Sequence, residues 1–191
     1  MTGRRRAAVF AAVCAAGLLG TACGVPDQAA PVQISGVNLP APPSTVAGSS
    51  PQPGRRVRVY FVANSDTLIP VVRSDPAGDL AAAVRDLLAG PSRQEVAAGI
   101  TSAVPSGTRL RSAQLADGTA TLDFTEPLTS VTGHEEMLAF AEIVTTAGAA
   151  PGVDRVVIDV AGQPVNAPEP NGTLAQGPVT AADYAGLVSG G

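Results

Sequence analysis

The side chains that could do acid–base or metal chemistry are few and widely spaced in this chain of 191 residues. His134 is the only histidine, and Leu138 stands where the zinc motif His-Glu-x-x-His needs its second histidine. Asp123 and Glu126 could form a carboxylate pair of the glycosidase type, but nothing in the sequence places them in a cleft. We therefore expect His134 on the surface at a helix N-terminus, and the two carboxylates exposed on a strand and a turn.

The composition excludes several further kinds of catalysis. All 12 basic residues are arginine, so the chain has no phosphate-binding loop lysine, no Schiff-base lysine and no Ser-x-x-Lys pair. The formal charge of −4 argues against a protein that coats nucleic acid, and two Tyr, four Phe and no Trp leave little for carbohydrate stacking. The sequence predicts no enzymatic activity, no metal, no cofactor and no nucleic-acid partner.

The N-terminal residues have the layout of a secretory signal peptide. Three arginines at positions 4–6 precede an almost wholly apolar stretch at 7–19, and the small residues Gly20, Thr21 and Ala22 follow. The apolar stretch is shorter than the span of about 20 residues that a membrane-crossing helix needs. We predict that residues 1–22 are a cleaved leader.

The residue after this leader is a cysteine. Residues 18–23, Leu-Leu-Gly-Thr-Ala-Cys, resemble the lipobox of bacterial lipoproteins, although Gly20 stands where that motif usually has Leu, Val or Ile. Cys14 would be discarded with the leader, which leaves one thiol and no internal disulfide. The resemblance implies that Cys23 is acylated, with palmitate as the expected fatty acid, and anchors the chain to the extracytoplasmic side of the cell membrane. The alternative is a plain secretory peptide that contains a cysteine.

The segment at 23–54 is rich in Pro, Ala, Ser and Gly and has no helical or strand periodicity. Such a composition cannot bury enough apolar surface to offset the entropy of ordering the chain. About 30 residues of flexible coil reach roughly 30 Å. We predict a disordered linker that holds a folded domain, residues 55–191, away from the membrane.

Hydrophobic periodicity in the predicted domain indicates two strand–strand–helix units and a fifth strand. The first unit has strands at 57–62 and 68–72, with Pro70 typical of an edge strand, and a helix capped by Asp79. The second has a hairpin that turns at Asp117-Gly118 and a helix. The fifth strand is predicted at 155–160, and capping boxes at Ser92 with Glu95, Thr132 with Glu135 and Thr180 with Asp183.

This ββα-ββα-β order predicts the α+β fold class. Helices and hairpins that alternate in this way favour a two-layer sandwich. Two main helices would pack on one face of a mostly antiparallel or mixed sheet.

The order of these motifs resembles the GerMN domain, of the GerM or spore-germination type, found in envelope lipoproteins of actinobacteria. The resemblance covers nearly all of 55–188. Its most specific parts are the Leu-x-x-Gly-Pro-Ser helix end at 87–92 and the Pro-x-Gly-Thr loop at 105–108. It implies a non-catalytic module of the cell envelope that takes part in assemblies or signalling at the membrane, and it brings no catalytic residues.

Together these features predict a membrane-anchored, extracytoplasmic lipoprotein whose GerMN-like domain binds another envelope protein. The alternative is a module that binds a small ligand or a cell-wall polymer. The long loops at 99–108 and 162–178 are the predicted partner surfaces. Arg55, Arg56 and Arg58 could instead contact anionic lipid or wall polymer, although a solvated start of a strand is the simpler interpretation.

Overall fold

The structure, a computed structural model, describes residues 54–63 and 66–189. The predicted leader at 1–22, Cys23 and the linker up to residue 53 lie outside the described residues. Residues 64, 65, 190 and 191 also lie outside them. No helix in the described part is long and apolar enough to cross a membrane. The strands are β1 Arg55–Val62, β2 Leu68–Asp75, β3 Leu110–Ala116, β4 Thr119–Phe124, β5 Arg155–Val160 and β6 Gln163–Val165; the α-helices are α1 Leu80–Leu88, α2 Arg93–Ala97 and α3 His134–Gly148, with 3₁₀ helices at Glu126–Ser130 and Ala181–Leu187.

The predicted α+β class with a mixed sheet is confirmed, and the described strands divide into two sheets. Strands β1 and β2 form an antiparallel ribbon, whereas β3, β4, β5 and β6 form a second sheet in that order. Only the β4–β5 pair of this second sheet is parallel. The ribbon does not pair with the larger sheet in the described residues. Helix α3 packs against β1, where its Thr146 and Glu142 side chains accept from backbone N–H groups of the strand. The predicted fifth strand, β5, is an inner strand of this sheet, between β4 and β6.

Pro70 lies where its missing N–H costs nothing. It stands opposite Tyr60, whose own N–H points away from β2 and donates to the Thr146 hydroxyl on α3 at 3.0 Å. Facing residues in an antiparallel pair alternate between exchanging hydrogen bonds and exchanging none. The Tyr60–Pro70 pair is therefore of the second kind, and β2 is an outer strand of the ribbon, as predicted.

The hairpin between β3 and β4 forms at the predicted turn. Asp117 and Gly118 have φ values of 49° and 73°, the left-handed conformations that a type I′ turn requires. Along β4 the side chains of Ala120, Leu122 and Phe124 are fully buried and alternate with partly exposed ones. This turn brings β4 into register beside β5, where Thr119 lies opposite Arg155.

Two of the predicted helix starts are held by side chains as expected. The Asp79 carboxylate accepts from the N–H of Ala82 at 2.8 Å and caps α1. At α2 the Glu95 carboxylate accepts from the N–H of Ser92 at 2.7 Å, and the Ser92 hydroxyl accepts from the N–H of Glu95 at 3.3 Å. Glu95 also binds the Arg73 guanidinium through two contacts of 2.6 Å, which lowers the pKa of Glu95 to about 2.

The predicted capping box at Thr132 and Glu135 is wrong. Helix α3 starts after Gly133, whose φ of 69° brings the chain into the helix, and no side chain caps this end. The helix is also buried on all sides between residues 137 and 147, because α1, β1, β5 and the last 3₁₀ helix all pack around it.

The last helix of the described residues is a 3₁₀ helix that packs against α3. The Asp183 carboxylate accepts from the N–H of Thr180 at 2.7 Å and from its hydroxyl at 2.9 Å, so the predicted cap is confirmed. Tyr184 is fully buried, and its hydroxyl donates to the carbonyl of Pro168 at 2.9 Å. This bond ties the predicted 162–178 loop to the end of the domain.

Position 78 requires glycine because its backbone is left-handed and because a neighbouring side chain leaves no room for a Cβ. Gly78 has a φ of 58°, and a Cβ placed there would collide with the Cβ of Arg55. We expect Gly78→Ala to lower the free energy of unfolding by about 3 kcal/mol, from left-handed strain and overpacking together. Urea unfolding measures this. The matched control is Gly107→Ala, at a φ of 90° with no atom within 4 Å, which should lose only the strain, about 1 kcal/mol. Equal losses would contradict the steric argument.

Candidate functional site

His134 lies on the surface at the N-terminus of α3, as expected. Its Nε2 is 3.0 Å from a carboxylate oxygen of Asp66, and both side chains are more than half exposed. An exposed imidazole–carboxylate pair of this kind contributes little to stability. Within residues 54–63 and 66–189, no three His, Cys, Asp or Glu side chains come together as metal ligands.

Asp123 and Glu126 do not converge on one cleft. One Asp123 oxygen is 3.3 Å from the Arg111 guanidinium, and the other accepts from the N–H of Gly162 at 2.9 Å. Glu126 is exposed at the start of a 3₁₀ helix. Asp123 therefore helps to hold the turn between β5 and β6, which is a structural role.

The two predicted partner loops are held tightly along part of their length. Thr101 exchanges backbone hydrogen bonds of 3.0 and 2.8 Å with Val62, and a small cleft of about 210 Å³ lies between this loop and the end of α1. In the second loop, Ala175 donates to Ala167 at 2.9 Å, while Leu174 remains 55% exposed. The end of the first loop, at Gly107 and Thr108, borders a groove of about 540 Å³ that also includes the exposed Arg85 and Arg109.

Another groove, of about 490 Å³, lies beside the first half of β1 and next to an open strand edge. The exposed arginines Arg56 and Arg58 border it, together with Val72, which is 57% exposed. A neighbouring groove of about 330 Å³ includes Leu115, which is 45% exposed. We call the groove of about 490 Å³ the β1 groove. Its lining is Arg56, Val57, Arg58, Val72, Gly78, Asp79, Ala83, Ala149, Ala150 and Pro151.

Helix α3 covers the second half of the β1 edge and leaves the first half open. Tyr60 donates to Thr146, and Val62 donates to Thr101 and to the Glu142 carboxylate, all on the side away from β2. By the alternation of the antiparallel ladder, the N–H and C=O groups of Arg56 and Arg58 face the same way. No hydrogen bond from another described residue reaches them. Four backbone groups of β1 are thus available beside the groove.

Glu142 is a buried carboxylate that the sequence analysis missed. It is fully buried in α3, and it accepts from Val62 N–H at 3.2 Å, from Ala103 N–H at 3.2 Å and from the Ser102 hydroxyl at 2.7 Å. Burial raises its pKa to about 7, even though these donors favour the ionised form. The signal in the sequence was a lone charge inside the apolar run of α3. Its role is to fasten the 101–104 segment and the end of β1 to one helix.

Comparisons with known proteins agree with this architecture. The sequence profile of the Germane family, described as sporulation and spore germination, matches residues 58–166, which is more than half of the chain. The comparison with curated proteins gave no match.

Three solved structures are similar to this chain. The tandem GerMN domains of the sporulation protein GerM from Bacillus subtilis are 23% identical with a TM-score of 0.56, over 83% of this chain and 51% of that chain. The first GerMN domain of that protein is 18% identical with a TM-score of 0.53, over 65% of this chain and 96% of that chain. A candidate lipoprotein from Clostridium perfringens is 17% identical with a TM-score of 0.47, over 71% of this chain and 93% of that chain, and at that score the likeness carries no argument.

These likenesses differ in what they establish. At such identities the solved structures show a shared fold, and the chain spans about half the length of the tandem GerMN structure. The profile match over 58–166 goes further, because it follows the family through most of the described domain. This chain belongs to the Germane family, and its folded part is a domain of the GerMN type.

Proposed function

We propose that this protein is an extracytoplasmic lipoprotein of the cell membrane whose GerMN-type domain is a non-catalytic module for binding another envelope protein. The observation that carries the proposal is the β1 groove. It combines free backbone groups, exposed arginines and the exposed apolar side chain of Val72 on one concave surface. Surfaces with this mixture are typical of protein interaction sites.

The anchor is inferred from the sequence alone. Cys23 follows small residues at the end of an apolar leader, and a proline-rich linker separates it from β1. Acyl chains contribute about 0.8 kcal/mol for each buried CH₂, so a cysteine with two or more chains binds a membrane stably. The anchor would keep the domain close to its partner at the membrane.

Cys23→Ser should remove the protein from the membrane fraction. Without the thiol no acyl chain can attach, so we expect nearly complete loss of membrane-bound protein and of label from a fatty-acid precursor. Cys14→Ser, in the leader, is the matched control and should change neither. Mass spectrometry of the mature N-terminus checks the same point. An unmodified N-terminal peptide that begins elsewhere than Cys23 would overturn the anchor.

The interaction role is tested by photo-crosslinking in intact cells. A photoreactive residue at Val72, beside the groove, should capture one specific envelope protein. The matched control is Leu174, which is exposed to nearly the same extent, 55% against 57%, but lies outside the groove lining. Equal capture at both positions, or none at Val72, would contradict the proposal.

A second function, the binding of a small ligand or wall polymer, is favoured by the size of the groove alone. About 490 Å³ falls in the range of small-molecule sites. None of the ten lining residues is aromatic, so the groove offers no ring for stacking against sugars. A ligand that raises the unfolding temperature of the protein and blocks crosslinking from Val72 would favour this second function.

A further inference from the structure

We propose that the open half of β1 receives an extended, acidic segment of the partner protein as an added β-strand. This inference rests on the proposed function and specifies how the β1 groove would bind. Exposed strand edges are templates for such pairing, in which main-chain hydrogen bonds supply affinity and alternate side chains supply specificity.

The backbone of β1 limits where a strand can add. Arg56 and Arg58 present two N–H and two C=O groups on the side away from β2. Beyond them, Thr146 and Glu142 already occupy the N–H groups of Tyr60 and Val62. An added strand would therefore pair over a short stretch and make up to four main-chain hydrogen bonds.

The charge of the edge selects an acidic segment. Arg55, Arg56 and Arg58 are all exposed, and none of them has an ion pair among the described residues. Arg73 and Arg111, by contrast, are paired with Glu95 and Asp123. Carboxylates on one face of an added strand would lie next to the free guanidinium groups, and opposite charges on adjacent strands stabilise the pairing.

The rest of the groove suits small apolar side chains. Val72 borders it from β2, and Ala149, Ala150 and Pro151 border it from the end of α3. Val72 is opposite Arg58 and shares its face of the ribbon. A strand has alternating faces, so a segment that alternates acidic and aliphatic residues can place its acidic set on the arginine face and its aliphatic set on the other face. Such a segment is the predicted recognition chemistry.

Two other occupants fit the edge less well. A second copy paired through the same edge would bring its arginines against these arginines, which is unfavourable. The chain's own segment at 23–53 contains one acidic residue, Asp27, and many prolines, which cannot donate to a ladder. The partner is therefore a different protein.

A capped six-residue peptide that alternates valine and glutamate is the probe, with the mature full-length chain as the protein. We expect binding to slow hydrogen exchange at the amides of Arg56 and Arg58, as seen by NMR. The same peptide with glutamine for glutamate should bind roughly tenfold more weakly, and a version with methylated amide nitrogens should not bind. Binding that is indifferent to both changes would overturn the proposal.

Two substitutions separate backbone pairing from charge. Arg58→Ala and Arg58→Pro both remove the guanidinium, but only proline removes the N–H that faces the groove. Because Arg58 and Val72 form a pair that exchanges no hydrogen bonds, proline should leave the β1–β2 ladder intact. We expect the proline variant to bind at least about tenfold more weakly than the alanine variant. If thermal unfolding shows that the proline variant does not fold, the methylated peptide decides the question.

The remaining outcomes distinguish the occupants. If the amides of Arg56 and Arg58 exchange slowly without peptide, and deleting residues 24–53 makes this exchange fast, the chain's own linker occupies the edge. That result would overturn the proposal. A dimer that the peptide disperses would assign it to a second copy, with the same consequence. If the peptide does not bind while the photoreactive residue at Val72 still captures a partner, strand addition is wrong and the interaction function stands. If Val72 captures no more protein than Leu174, the proposed function is wrong.

Discussion

Glu142→Ala should lower the free energy of unfolding by about 3 kcal/mol, more than most single substitutions in this domain. The change leaves a buried cavity and removes the acceptor of the Ala103 N–H and the Ser102 hydroxyl. A buried donor without a partner costs about 1–3 kcal/mol, and the lost packing adds to this. Urea unfolding near pH 4.5, where Glu142 is protonated in the folded protein, measures the loss.

Glu142→Gln is the matched control for this experiment. Its amide oxygen can accept from Val62 and Ala103 as Oε1 does, and its NH₂ group can donate to the Ser102 hydroxyl. At pH 4.5, where the folded protein holds Glu142 protonated, we expect stability close to that of the unchanged protein. A glutamine variant as unstable as the alanine variant would show that Glu142 does not act through these three bonds.

The second large effect is a loss of stability as the pH rises from about 4.5 to 7. The pKa of Glu142 is raised from 4.5 to about 7 in the folded protein, mainly by burial. Between these values the folded state binds the proton more strongly than the unfolded state, so raising the pH favours unfolding. The shift corresponds to about 3 kcal/mol, fully present as stability below pH 4.5 and lost at pH 7 and above. The pKa of Asp86 is also raised by burial, which acts in the same direction.

Unfolding free energies measured across this pH range test the effect. The Glu142→Gln variant carries no titrating group at this position, so its curve should be flatter. Its gain over the unchanged protein should grow from pH 4.5 to 7 and be largest above pH 7. Glu95 works in the opposite sense but in a different window. Its pKa is lowered to about 2 by Arg73, so its contribution is lost only as the pH falls below 4.5 towards 2. Parallel curves for the two proteins would contradict the assignment to Glu142.

The parts of the fold that local chemistry determines were predictable from the sequence. The Asp117-Gly118 turn and the Asp79 and Ser92 caps involve residues at most three apart, and each forms as expected. Pro70 on an outer strand follows from the proline ring alone. Thr132 was misassigned because Gly133, in a left-handed conformation, makes the entry to α3 instead. A sequence pattern identifies residues that could cap a helix. Which of them does so depends on the backbone conformation where the chain enters the helix.

The parts that depend on packing between distant elements were not predictable. Nothing near Glu142 in sequence shows that Val62, 80 residues earlier, donates to it. Helix α3, which carries Glu142, covers the second half of the β1 edge and leaves the backbone of Arg56 and Arg58 open. The candidate site therefore depends on tertiary packing. The sequence predicts a solvated strand start at these arginines, and they lie exposed at the start of β1; it predicts partner surfaces at the loops 99–108 and 162–178 instead.

The most direct test of the central claim is amide hydrogen exchange in the complex with the protein captured through Val72. If the domain binds by the open edge of β1, exchange at Arg56 and Arg58 should slow by about tenfold or more on complex formation, while exchange at 162–178 should not change. Slower exchange confined to the loops at 99–108 or 162–178, with β1 unchanged, would contradict the claim.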